Sequence, residues 1–232
     1  MNEFSRTALL IGEDAVQKLK NCRVAVFGVG GVGGYAVEAL ARTGVGALDL
    51  IDADRIAESN LNRQILALRS TVGRYKTEVA AERVKDINPS CQVTVYNLFY
   101  GKDTTEIDFA RYDYVIDAVD TVSAKLTIIE RAKGAGVPVI SAMGAGNKLD
   151  ATAFRVADIA DTRICPLARV MRKELKKRGI EGVKTVYSEE EPKESGLFNE
   201  ESGKPIPSSI AFVPSVVGMI LAGEVIKDLI KE

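Results

Sequence analysis

The sequence predicts an α/β protein with a doubly wound, mostly parallel sheet. Three observations predict it. Apolar runs of strand length alternate with stretches of helical periodicity. A glycine-rich loop joins the first strand to the first long helix, and the second strand ends on an acidic residue about 20 positions later. At 232 residues the chain is long enough to bury one sizeable core, or one core and half of another.

Taken in order, residues 13–20 read as a short helix with Glu13 and Asp14 at its electropositive end. Residues 23–27 are a buried strand, followed by the loop Gly28-Val29-Gly30-Gly31-Val32-Gly33. A helix over 32–42 is closed by Thr43-Gly44. Residues 47–51 form the second strand, which runs into Asp52. Residues 73–88 form an amphipathic helix with Ala80, Val84 and Ile87 on one face, stopped by Asn88-Pro89. Strands over 92–96 and 112–116 follow, the latter running into Asp117-Ala118-Val119-Asp120. A helix over 123–135 and a strand over 137–142 complete the alternation.

After residue 150 the pattern changes. Residues 165–178 read as a basic helix and 183–187 as a strand. Residues 188–208, rich in Glu, Ser, Gly, Lys and Pro, read as a long mobile loop. A helix over 213–230 is expected to pack back on the sheet. With no internal repeat and no clear linker, residues 1–232 read as a single domain with a C-terminal elaboration, the basic helix and loop of 163–209.

Charge is nearly balanced, at −1, so the chain as a whole exerts no pull on nucleic acid or membrane, and any such site must be a local patch. Cys22, Cys91 and Cys165 are scattered, which excludes a four-cysteine zinc site and a disulfide framework and suits a reducing cytoplasm. The apolar stretch 210–223 is too short to span a bilayer, and the N-terminus has no basic-then-apolar leader. The absence of histidine removes the commonest general acid/base and the commonest metal ligand together.

Gly28, Gly30, Gly31 and Gly33 allow backbone N–H groups and a helix N-terminus to approach phosphate, though this loop alone does not choose between NAD and ATP. Asp52 is placed to accept from ribose hydroxyls, or is a solvated strand end, with Asp54 in a supporting role. The cluster Ser59-Asn60-Leu61-Asn62-Arg63-Gln64 sets amide and guanidinium donors where a triphosphate can lie, which moves the reading from hydride transfer to phosphate chemistry. Arg63 and Lys76 are the candidate neutralisers of phosphate charge, with Asn60 and Gln64 beside them. Lys76 near a helix N-terminus runs against the helix dipole, a local conflict that hints at function.

Asp120, at the carboxyl edge of the sheet, suits either Mg2+ bound mainly through phosphates and water or an N-cap of the next helix. Arg169, Arg172, Lys173, Lys176 and Lys177, with Arg178 and Lys184 nearby, form either a track for a nucleic-acid backbone or an ordinary solvated face. Cys165 reads as a buried or incidental thiol rather than a nucleophile.

Together these motifs resemble the ubiquitin-activating-enzyme-type superfamily of carboxylate-adenylating enzymes, over roughly residues 4–150. The carrying motifs are the glycine loop, Leu50-Ile51-Asp52-Ala53-Asp54, the 59–64 cluster, Gly73-Arg74-Tyr75-Lys76 and Asp117-Ala118-Val119-Asp120. The resemblance implies a Rossmann-like adenylating fold in which Asp52 holds ribose, Asn60, Arg63 and Lys76 hold the phosphates of ATP, and Asp120 supports Mg2+. Arg6, in Phe4-Ser5-Arg6, is similar to the superfamily's arginine that reaches the ATP of a second protomer, which implies a homodimer.

Within the superfamily the chain is similar to the tRNA threonylcarbamoyladenosine dehydratase family. The resemblance rests on Asn62, Ile87-Asn88-Pro89, Ala142-Met143-Gly144-Ala145-Gly146, Pro166-Leu167-Ala168-Arg169, Tyr187-Ser188-Glu189-Glu190 and the stretch from Ser208-Ser209 to Gly223. Cys165 stands where that family often has Asp, and the paired Cys-x-x-Cys ligands usual in sulfur-carrier-activating relatives are missing. The longer apolar C-terminal tail of some relatives is absent too, so no membrane association is expected.

The resemblance implies ATP-dependent dehydration of a modified adenosine in tRNA, through adenylation of its carboxylate and release of AMP. Adenylation of a carrier protein's C-terminus is the alternative within enzymes. An NAD-dependent oxidoreductase is disfavoured by the lack of histidine and of a Tyr-x-x-x-Lys pair. A non-catalytic nucleotide-binding scaffold is the third class, and binding of ATP without turnover would point to it.

Overall fold

The computed structural model describes residues 2–194, 196, 198 and 206–231. Two short helices open the chain, α1 (Ser5–Ile11) and α2 (Glu13–Lys20), joined at Gly12. Periodicity does not reveal the first of them, because it spans only two turns and exposes Leu9 and Leu10. Then come β1 (Arg23–Phe27), α3 (Gly33–Thr43), β2 (Ala47–Ile51), α4 (Lys76–Ile87), β3 (Gln92–Tyr96), β4 (Tyr114–Asp117), α5 (Val122–Gly134) and β5 (Val139–Ala142). The chain continues through β6 (Phe154–Asp158), α6 (Pro166–Lys177), β7 (Lys184–Ser188) and α7 (Phe212–Ile230).

The seven strands lie in the order β3-β2-β1-β4-β5-β7-β6. All pairings are parallel except that of β6 with β7. The sequence pattern does not reveal β6, an edge strand that exposes Arg155 and Val156 and so lacks a clean apolar run. Strand β7 lies inside the sheet, between β5 and β6, so the stretch after residue 150 contributes to the same sheet.

Side chains of one strand alternate between two cores. Val24 and Val26 of β1 face a cluster built with α3, α4 and α7, while Ala25 and Phe27 face a cluster built with α5 and α6. A fully buried Leu or Ile contributes roughly 2 kcal/mol in each core. Helix α7 packs most extensively on α3. Gly218 permits this approach, since a Cβ there would lie 2.2 Å from the Val32 carbonyl oxygen and 2.8 Å from Tyr35 Cβ.

Three starts differ from the sequence pattern by two residues or more, and one of them is the fifth strand, which begins at Val139 rather than 137. The helix expected over 73–88 starts at Lys76, because Gly73 has a φ of +88° and Tyr75 is extended and bridges to Arg55. The fourth strand starts at Tyr114 rather than 112, after a short 3-10 turn at Phe109–Arg111. Of the loop expected over 188–208, Ser195, Leu197 and residues 199–205 lie outside the described residues.

Candidate active site

The strand order reverses between β1 and β4, and a crevice opens beyond their carboxyl ends at that point. It holds a cavity of about 500 Å³, within the range of small-molecule sites. Gly28, with a φ of +84°, turns the chain out of β1. Its missing Cβ would stand 2.7 Å from the Ala118 carbonyl, so the β1 and β4 loops can meet there. Gly28, Gly30 and Gly31 line the cavity, and α3 follows with its positive end toward the loop, where Gly34 N–H donates to the Gly30 carbonyl and Tyr35 N–H to that of Val32. Gly33 stands behind that wall, packed against the Gly28 carbonyl.

Asp52, Asp54, Asn60, Arg63, Gln64 and Lys76 also line the cavity, so the cluster is assembled from the β2 end, the 59–64 turn and the start of α4. The Asp52 carboxylate accepts from Val29 N–H at 2.7 Å and Asp54 N–H at 2.8 Å, which ties the acidic strand end to the glycine loop. Lys76 is only 6% exposed. Its ammonium sits 2.7 Å from Asp54 and 4.0 Å from Asp52. Those two carboxylates offset the unfavourable helix dipole, and the conflict visible in the sequence is resolved by a local ion cluster. Arg63 is half-buried and donates to the Ser59 carbonyl at 3.0 Å and Asn62 Oδ1 at 2.9 Å. Asn60 uses its Oδ1 to accept from Ala57 N–H and stabilise the turn.

Among the described residues, Gln64 Oε1 is buried without a hydrogen-bond donor. A buried acceptor left alone is unfavourable by about 1–3 kcal/mol. A nucleotide's amino or hydroxyl donor in the cavity would satisfy it, which fits ATP to this site.

Asp120 lies exposed at the rim. The cap position of α5 is Thr121, and the Asp120 carboxylate caps nothing. An exposed carboxylate that accepts from Thr121 Oγ1 at 3.3 Å would suit Mg2+ held chiefly through water and the phosphates of a bound nucleotide. Among the described residues no cluster of three or more acidic or thiol ligands forms a closed metal cage.

Several residues at the cavity carry no motif in the sequence. Leu98, Phe99 and Tyr100 line its rim beyond β3, and Phe99 is 65% exposed, an apolar surface for a flat base. Their position just past a parallel strand's carboxyl end is the one available signal. Behind the 118–121 loop, Asp117 accepts from Lys125 at 3.0 Å and from Ser141 Oγ at 2.5 Å, all three fully buried. The 144–146 turn lines the opposite rim with Leu167 and residues 207–209. Cys165 is buried, and a Cβ on Gly144 would lie 3.8 Å from its Sγ.

The basic helix divides. Arg172 turns inward and donates to the Thr162 carbonyl and hydroxyl, each at 2.7 Å. Lys177 pairs with Glu174, as does Arg178. Arg169, Lys173 and Lys176 are exposed, one face of α6 that begins beside the cavity at Leu167. Arg6 lies exposed on α1, outside the cavity lining. No described helix is long and apolar enough to cross a membrane.

The family model described as the ThiF family matches residues 4–232. The tRNA threonylcarbamoyladenosine dehydratase of Bacillus subtilis is 46% identical over 100% of this chain and 96% of its own length. The structure of the Escherichia coli tRNA N6-threonylcarbamoyladenosine dehydratase TcdA in complex with ATP superposes with a TM-score of 0.87 at 38% identity, covering 98% of this chain and 93% of that one. The adenylyltransferase and sulfurtransferase UBA4 of Vanderwaltozyma polyspora is 37% identical over 59% of this chain and 31% of its own length. By motif, sheet order and full-length likeness, the chain belongs to the ThiF family and, within it, to the tRNA threonylcarbamoyladenosine dehydratases.

Proposed function

We propose that this protein dehydrates the threonylcarbamoyl group of a modified adenosine in tRNA at the expense of ATP. The observation that carries the reading is the cavity at the strand-order switch, with Asp52, Arg63 and Lys76 on its wall, in a chain 46% identical over its length to a protein named for that reaction. The modification's carboxylate oxygen attacks the α-phosphorus of ATP, the bond to the β-phosphate breaks, and pyrophosphate leaves. The ureido oxygen then attacks the acyl carbonyl and AMP leaves with the bond electrons. A nitrogen-bound proton is lost as the ring closes, so the nucleoside is one water lighter.

A carboxylate is already a nucleophile at neutral pH, so the first step needs no general base, in keeping with a chain without histidine. The work left to the protein is to bring two anions together and hold charge on the transferring phosphorus. In this reading the N–H groups after Gly28 cradle phosphates, Asp52 and Asp54 orient ribose and Lys76, and Arg63, Lys76 and Asn60 neutralise phosphate oxygens. Gln64 accepts from the nucleotide, and Phe99 offers its face to the base. Asp120 would hold Mg2+, which supplies charge neutralisation on the phosphates when bound.

The reading extends to a homodimer in which Arg6 reaches the partner's ATP. Exposed Leu9 and Leu10, 84% and 86% accessible on the same short helix, support an apolar contact there. It treats residues 1–232 as one ATP-binding adenylating domain. Three free, buried cysteines suit a cytoplasmic setting. Arg169, Lys173 and Lys176 are assigned to the RNA backbone, while Arg172 and Lys177 serve α6 itself.

The test is incubation with Mg-ATP and tRNA bearing the linear modification, followed by nucleoside mass spectrometry and analysis of AMP. Loss of one water with release of AMP is expected. An unchanged nucleoside, with ATP exchanging with pyrophosphate, would overturn the reading in favour of a carrier-protein substrate.

A further inference from the structure

Segment 207–209 belongs to no helix or strand, yet it forms one wall of the cavity. Its place is set from two sides. On one side stands Asn147, at a φ of +62° in the left-handed region, which Asn tolerates better than most residues. Its N–H donates to the Ser208 carbonyl at 2.8 Å and its carbonyl accepts from Lys193 N–H at 2.7 Å. Its Oδ1 accepts from Ser208 N–H at 2.6 Å and Ser208 Oγ at 2.9 Å. The preceding Gly146 lets Pro207 lie flush, since a Cβ there would be 3.2 Å from Pro207 Cβ.

On the other side stands Asn62, whose Nδ2 donates to the Ser209 carbonyl at 3.1 Å while its Oδ1 accepts from Arg63 at 2.9 Å. The wall therefore abuts the phosphate-binding turn. A nucleophile that attacks the α-phosphorus must itself adjoin the residues that hold phosphate. The sides of the cavity formed by the glycine loop, Asp52 and Lys76 are committed to nucleotide. The 207–209 wall adjoins Arg63 through Asn62, offers serine hydroxyl groups, and shares the cavity with Leu167, where the exposed cationic face of α6 begins.

We propose that Asn147 is a positioning residue that, with Asn62, sets the 207–209 wall as the subsite for the acceptor, the carboxylate-bearing side chain of the modified nucleoside. This rests on the dehydratase reading above. Asn147 acts through Ser208, so its loss acts on the acceptor and leaves ATP recognition intact.

The test compares full-length Asn147→Gly and Asn147→Asp with the parent protein. Gly keeps the left-handed backbone and removes the acceptor oxygen, whereas Asp keeps both. KM for ATP and KM for the modified tRNA are measured separately, and ATP affinity is measured directly by calorimetry. For Asn147→Gly, KM for the modified tRNA is expected to rise about five- to tenfold, the scale of removing one or two hydrogen bonds. KM and Kd for ATP should stay within about twofold. Asn147→Asp should restore the tRNA value.

If Asn147→Gly does not fold, Ser208→Ala, which removes the hydroxyl that donates to Asn147 Oδ1 and involves no residue assigned to ATP, is measured in its place with a rise expected in the tRNA KM alone. Equal rises for both substrates, or no rise for tRNA in a folded variant, would overturn the proposal while leaving the dehydratase reading standing. A parent protein that leaves the nucleoside unchanged would overturn both.

Discussion

Lys125 Nζ lies 3.0 Å from the Asp117 carboxylate, and neither side chain touches solvent. The pair sits directly behind the loop that carries Asp120, with Ser141 Oγ on the same carboxylate oxygen and Val119 N–H, at 3.3 Å, on the other. A desolvated ion pair contributes little net stability while intact, but it is costly to break. Lys125→Met should therefore destabilise the fold by about 3–5 kcal/mol, because it strands a buried carboxylate. Urea unfolding of the variant checks this, and a midpoint unchanged from the parent would refute it.

Arg63→Ala should lower turnover about 100-fold or more, the scale seen when one preorganised charge donor is removed. Arg6→Ala should be similarly impaired if Arg6 completes the partner's site. When the two inactive variants are unfolded together and refolded as a mixture, half of the dimers pair unlike subunits. One of the two sites in each such dimer is then intact, so roughly a quarter of the parent activity should return. A mixture as inactive as its components would exclude the trans arrangement.

Asp228 on α7 accepts from Lys184, Tyr114 and Lys231. Burial pushes its carboxyl up, but Lys184, Lys231 and Tyr114 outweigh that and hold it down at about 2. A carboxyl held lower in the folded than in the unfolded chain stabilises the fold above its unfolded value near 4 and loses that contribution as pH falls toward 2. Asp228→Asn should therefore flatten the decline of stability between about pH 4 and 2, read as Tm against pH. A decline as steep as the parent's would remove Asp228 from the account.

Charge reversal at Arg169, Lys173 and Lys176 should weaken tRNA binding and lower the slope of log affinity against log salt by about two to three, near one unit for each phosphate no longer neutralised. Arg172→Ala should instead lower the stability of α6, since its guanidinium is spent on Thr162. An unchanged salt slope in the triple variant would move the RNA surface elsewhere.

The parallel sheet is legible in the sequence because β1, β2 and β4 are buried on both faces and are largely apolar, broken inside β2 only by Asp49, which Arg23 and Tyr112 partner, and because the glycine loop and Asp52 mark the crossover between them. The grouping of Asp52, Asn60, Arg63, Gln64 and Lys76 around one cavity is legible because 59–64 and Lys76 are close enough in sequence to Asp52 to form one rim. The edge strand β6 and the helix α1 are not legible, since each is half-exposed and neither repeats long enough to impose a period.

Nor does the sequence separate Arg172 from Arg169, for the inward turn of Arg172 depends on Thr162 lying against the first turns of α6. Asn147 carries no signal at all. Its partner Ser208 is 61 positions away, and Asn62 lies 147 positions from Ser209, so only the folded sheet brings them to one wall.

Helix α7 covers α3 and places Pro214 3.5 Å from where a Cβ on Gly31 would stand, so the roof over the first βαβ unit leaves the ribosome long after the unit itself. A nascent chain halted before residue 212 has every charged residue of the phosphate site but leaves the apolar face of α3 open to water. Such a chain exposes apolar surface of the kind that recruits a chaperone, and its cavity lacks the wall that Pro214 supplies. The cavity is thus complete only once α7 has emerged, rather than when the glycine loop does, because Pro214 on that helix lines it.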